Sequence, residues 1–94
     1  MTRQAIGNQI ELAEDLKRYL HGFQERLRLA AQSYQQKSNT LYEAGMFDEF
    51  QMKFEQYVQQ TTRLIANVVE HINESDIPFI ERYKAKLEDT MSVL

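Results

Sequence analysis

From Ala13 onward the apolar positions fall at Ala13, Leu16, Leu20, Phe23, Leu27, Ala30 and Tyr34, in alternating steps of three and four. Ile6 and Ile10 carry the stripe back toward the N-terminus, and Leu41 lies seven residues beyond Tyr34. This spacing is the narrow seam of a coiled coil or a long helical hairpin. It predicts a first helix over about residues 4–41. The segment Tyr42-Glu43-Ala44-Gly45-Met46 breaks the pattern, and Gly45 suits the positive φ that ends a helix, so a tight turn is expected over 42–46. A second stripe follows at Phe47, Phe50, Phe54, Tyr57, Thr61, Leu64 and Val68, with Ile72 continuing it and Val58 and Ile65 widening it. It predicts a second helix over about 47–74.

Ser75-Asp76-Ile77-Pro78 is the next punctuation. Proline is tolerated in a first helical turn but not in an interior, and Asp76 is suited to cap a new helix. Ile80, Tyr83, Leu87 and Met91 then continue in near phase, predicting a third helix over about 77–91. The expected fold is all-α: one domain over 1–94, an antiparallel helical hairpin whose second arm is kinked near Pro78. Its seam is expected at Leu16, Leu20, Phe23, Leu27, Tyr34, Leu64, Val68 and Ile72. On that placement Leu20→Asp or Leu64→Asp should each unfold the chain by burying an unpaired carboxylate. Leu12, Tyr19, Leu29, Met52, Val58, Ile65, Val69 and Phe79 lie partly off the seam. A second apolar face of this kind calls for another helix pair, so a four-helix bundle dimer is expected.

Composition narrows the chemistry. With 94 residues, no Cys and no Trp, the chain has no thiolate metal site or disulfide framework. A net charge of −3 argues against nucleic acid, whose phosphates need clustered Lys and Arg. The apolar runs are far too short for a membrane span, and the N-terminus has no apolar core of a signal peptide. His21 and His71 stand in neither a Glu-x-x-His nor a His-x-x-x-His arrangement, although Glu70 and Glu74 lie near His71. The carboxylate pairs Glu11/Glu14/Asp15, Asp48/Glu49, Glu70/Glu74 and Glu88/Asp89 are mixed with Lys, Arg and Gln, as a solvated face is. Two of them open i,i+4 ion pairs, Glu14 with Arg18 and Glu49 with Lys53. No catalytic residue, metal ligand or cofactor is assigned. The aromatic cluster Tyr42, Phe47, Phe50, Phe54 and Tyr57 has two readings: core that closes the turn end, or an anchor for a partner.

The stretch Tyr42-Glu43-Ala44-Gly45-Met46-Phe47-Asp48-Glu49-Phe50-Gln51-Met52-Lys53-Phe54 resembles the turn and second-helix start of the Trp-X-Gly family, the helical hairpins of type VII secretion. Tyr42 stands in the place of the Trp and Ala44 in that of the Gly, with Gly45 supplying a glycine one residue later. The family's export signal, Tyr-x-x-x-Asp/Glu, is not matched: Tyr83 has Leu87 at that offset and Glu88 one place beyond. The resemblance therefore implies a divergent member, a small secreted protein or an export partner that pairs with a signal-bearing chain. It implies a protein partner, as a homodimer or as a heterodimer with another helical hairpin, a secreted effector included. It also implies synthesis in the cytoplasm and export without a cleaved signal peptide. The alternative is a coiled-coil adaptor or structural assembly subunit unrelated to type VII secretion.

Overall fold

The computed structural model describes residues 2–45 and 48–94, all of them helix apart from the turn and the chain ends. Helix α1 runs Arg3–Glu43, α2 runs Glu49–His71 and α3 runs Ile77–Ser92. A π-helical turn, Ile72–Asp76, joins α2 to α3 without interrupting the helix. The described residues contain no strand.

Each helix start has a local cause. The Thr2 hydroxyl accepts the Ala5 N–H at 3.1 Å, and the Thr2 carbonyl accepts from Ile6, which makes Thr2 the cap of α1. At the other end the Gly45 N–H donates to the Tyr42 carbonyl, and Gly45 takes φ +79°, the left-handed conformation that a Cβ disfavours. The Asp48 carboxylate then accepts the Gln51 N–H at 3.0 Å and caps α2. Asp48-x-x-Gln51 is the spacing of a capping box, a signal present in the sequence that places the helix start one or two residues later than the apolar stripe does.

Of the kink or short break expected near Pro78, the chain shows no break, and Asp76 is not the helix cap expected there. Asp76 keeps helical dihedrals and makes no capping bond. Instead the N–H of Ile77 reaches back five residues to the Ile72 carbonyl. In a regular α-helix the Pro78 ring would strike the carbonyl four residues earlier, and its missing N–H would leave a gap in the ladder. Widening one turn moves that carbonyl aside and keeps the chain helical.

The chain divides into two compact units, residues 1–23 with 71–94, and residues 24–70. In the first, α1 lies antiparallel to α3: Gly7 meets Met91, Glu14 pairs with Lys84 and Lys17 with Glu81. Ile6, Ala13, Ile72, Ile77, Ile80 and Leu87 are its buried apolar residues. A Cβ on Gly7 would sit 3.4 Å from the Met91 methyl, so glycine there permits a close helix approach. In the second unit Val58 is buried together with the polar residues Gln24, Ser38 and Gln51. The side-chain amide of Gln24 donates to the Val69 carbonyl at 3.0 Å, tying α1 to α2 in antiparallel sense.

Candidate functional site

The seam follows much of the apolar stripe and departs from it at particular positions. On α1 the buried and half-buried positions include Ile6, Ile10, Ala13, Lys17, Leu20, Phe23, Gln24, Leu27, Ala30, Ala31, Ser38 and Leu41. On α2 they include Gln51, Phe54, Val58, Ile65, Val69 and Ile72. Of the expected seam residues, Ile72 is buried and Leu20, Phe23 and Leu27 are half-buried. Leu16, Tyr34, Leu64 and Val68 stand at 49%, 40%, 63% and 36% exposure and are not in the seam of this chain. The reason lies in what faces them. An apolar face wider than a single stripe admits two registers, and cross-helix polar partners choose between them. Gln24, 4% exposed, reaches the Val69 carbonyl and occupies the contact, while Lys17 reaches Glu81 along its edge and Leu16 beside it faces outward. No buried side-chain nitrogen or oxygen among the described residues lacks a hydrogen-bond partner.

The first unit has two unlike edges. At 100° per residue, Glu14 and Lys17 lie on one flank of α1, with Leu12, Leu16 and Tyr19 on the other. The first flank is closed by Lys17–Glu81 at 2.9 Å and Glu14–Lys84 at 2.7 Å. Those contacts set the local electrostatics. The hydrogen bond from Lys84 lowers the Glu14 carboxyl below its ordinary range, and that from Lys17 does the same for Glu81. Glu14 in turn raises the Lys84 ammonium. The second flank is a groove of about 680 Å³ lined by Gln9, Leu12, Leu16, Tyr19, Phe79 and Tyr83, with Ala13, Asp15 and Ile80. Leu12, Leu16, Tyr19, Phe79 and Tyr83 are each about half exposed or more. The Tyr83 hydroxyl sits 3.5 Å from the Gln9 side-chain oxygen at the groove edge, and Asp15 is paired with Arg18 at 2.6 Å. Glu14 therefore goes to Lys84, and Arg18 takes Asp15 rather than the expected Glu14. Lys53 and Glu49 pair at 3.0 Å along α2.

The π turn is what opens this groove. In an unbroken α-helix the positions in line with Ile72 would be Asp76, Phe79, Tyr83 and Lys86. One extra residue in the turn replaces them with Ile77, Ile80, Lys84, Leu87 and Met91, and Phe79 and Tyr83 rotate outward.

In the second unit the aromatic cluster is only partly assembled. Phe50 and Phe54 stack with centroids 6.3 Å apart, whereas Tyr42, Phe50 and Tyr57 are well exposed. Phe47 lies outside the described residues. Of the turn motif, Ala44 and Gly45 form the turn itself and Tyr42 lies in the last turn of α1. His71 faces Asp76 at 3.7 Å. Among the described residues no three His, Asp or Glu side chains gather as a metal site, and no helix is long and apolar enough to cross a membrane.

No known family model matches the chain, and neither does any curated protein or solved structure with which it was compared.

Proposed function

We propose that this chain is a non-enzymatic helical protein that acts by binding other helices. The observation that carries this reading is the row of large apolar side chains left uncovered beside a satisfied seam: Leu12, Leu16, Tyr19, Phe79 and Tyr83 in one unit, and Phe50, Tyr57, Leu64 and Val68 in the other. Apolar patches of this size on a small protein mark interaction surfaces. The carboxyls with shifted titration, Glu14 and Glu81, are lowered by ammonium partners, the opposite of what a general acid needs. Assembly as a four-helix bundle dimer, with its own copy or with another hairpin, would cover these faces.

Within that reading, the turn favours a divergent Trp-X-Gly-like export partner of type VII secretion. Its support is Gly45 at φ +79° just beyond α1 and the Phe50–Phe54 stack at the start of α2. A coiled-coil assembly subunit would use the same faces on a different partner. Native mass spectrometry of the protein purified from its own cells is the test. A complex holding a second helical chain is expected, and an effector or another hairpin as that chain would favour the export role. A single chain with no partner would contradict the binding role altogether.

A further inference from the structure

We propose that residues 24–70 open as one unit within the folded protein. In that excursion α1 and α2 part along this stretch, while the helix pair formed by residues 1–23 and 71–94 stays closed. Such opening is a property of the chain itself, whatever partner it takes.

The two units are equal in length, so ordering their backbones costs a similar conformational entropy. Their cores are unequal. Residues 1–23 and 71–94 bury Ile6, Ala13, Ile72, Ile77, Ile80 and Leu87. Among the described residues of 24–70, Val58 is the one buried apolar side chain, and the other buried positions are Gln24, Ser38 and Gln51. Apolar burial drives helices together. A buried amide or hydroxyl trades hydrogen bonds with water for hydrogen bonds within the protein, at little net gain. The same ordering cost is therefore offset by much less in residues 24–70. Regions with few buried apolar contacts are the ones that open below the free energy of global unfolding.

The polar ties differ in the same direction. Lys17–Glu81 at 2.9 Å and Glu14–Lys84 at 2.7 Å run from α1 to α3 and break only if those helices separate. In residues 24–70 the pairs Lys53–Glu49, Gln35–Asn39 and Thr62–Gln59 each lie along a single helix, so they survive when α1 and α2 part. The bond from Gln24 to the Val69 carbonyl does cross, at the end of the unit far from Gly45.

Each arm of the closed pair also carries a weak point near the end at which the opening starts. Gly22 lies inside α1, and glycine weakens a helix interior because it gives up the most conformational freedom. The π turn Ile72–Asp76 lies on the other arm, with its ladder widened to a reach of five residues. Helices bend at such turns, so the stretches beyond can part without disturbing the two cross-helix ion pairs. Once parted, they lose the tertiary packing that supplies most helical stability, and their amides exchange with solvent.

Amide hydrogen exchange of the purified chain, followed by mass spectrometry, tests this. Corrected for intrinsic rates, peptides from 26–43 and 50–68 should exchange together, at least about tenfold faster than those from 8–20 and 78–90. Equal protection in the two sets, or greater protection in 26–43 and 50–68, would overturn the proposal. Two variants then separate opening as a unit from simple fraying. Gln51→Leu replaces a buried amide by an apolar side chain of similar size, and should slow 26–43 and 50–68 together by about tenfold while leaving the other set unchanged. Ile80→Val trims the other core, and should speed 8–20 and 78–90 by about fivefold while leaving 26–43 and 50–68 unchanged. A Gln51→Leu effect confined to the helical turn around that residue would show local fraying and contradict a common opening. Either variant moving all four segments alike would show that the chain opens only as a whole.

Discussion

Gln24 is buried at 4% exposure and spans the two helices of its unit, so it measures how far a polar side chain fixes the register. Gln24→Ala removes a donor to the Val69 carbonyl, and a net loss of about 1–2 kcal/mol is expected in urea unfolding. The neighbouring contrast separates the two registers directly. Val58 is 1% exposed, and Val58→Asp should cost about 3–5 kcal/mol, enough to unfold a chain of this size. Leu64→Asp, which the apolar spacing alone ranks as equally damaging, should stay within about 0.5 kcal/mol of the parent because Leu64 faces water in the single chain. The apolar spacing fails here for a definite reason. It counts Leu16 and Leu64 as inward because they are apolar, and it has no way to know that Lys17 and Gln24 find partners across the helix pair.

At the scale of elements, the helices themselves were legible, because stripes of period 3.6 with a glycine between them leave little choice. The π turn was not. Pro78 signals trouble in any helix, and a break and a widened turn answer it equally well from sequence. What tells them apart is the rotation of the face beyond: Ile77, Ile80 and Leu87 are buried, five residues on from Ile72 and then at helical steps. Removing the extra residue should therefore be tolerated once the proline is gone. A chain lacking Ser75 and carrying Pro78→Ala should keep its helicity and cooperative melting, since the same inward face is restored in a regular α-helix. Removing Gln59 instead shifts Val58 against the rest of α2 and should abolish the cooperative transition. The cross-helix ion pairs belong to this scale as well. The lowered carboxyls of Glu14 and Glu81 stabilise the helix pair above their ordinary value of 4.5, and that contribution fades as pH falls through the lowered values. The raised Lys84 ammonium stabilises below 10.5 and its contribution fades as pH rises past that value. The urea midpoint should thus hold level between these limits and drop at both ends. The change is modest because all three groups are solvent-accessible. Glu14→Gln with Glu81→Gln should flatten the acid side.

For the whole molecule, the sequence showed that more apolar surface exists than two helices can cover, but not which surface. Spacing alone placed Leu12, Tyr19 and Phe79 off the seam but left Leu16 and Tyr83 on it. The structure turns all five to one groove, and the π turn is the device that sends Phe79 and Tyr83 there. The central claim is that these faces are covered when the protein works. An association that buries them favours the folded state by mass action, so stability must depend on concentration. The melting temperature of the purified chain, followed by circular dichroism over a hundredfold range of protein concentration, is the most direct measurement. It should rise steadily with concentration. A cooperative melt at one temperature across the whole range, with light scattering giving the single-chain mass of 11.1 kDa, would contradict coverage by self-association and leave only a different chain as the cover.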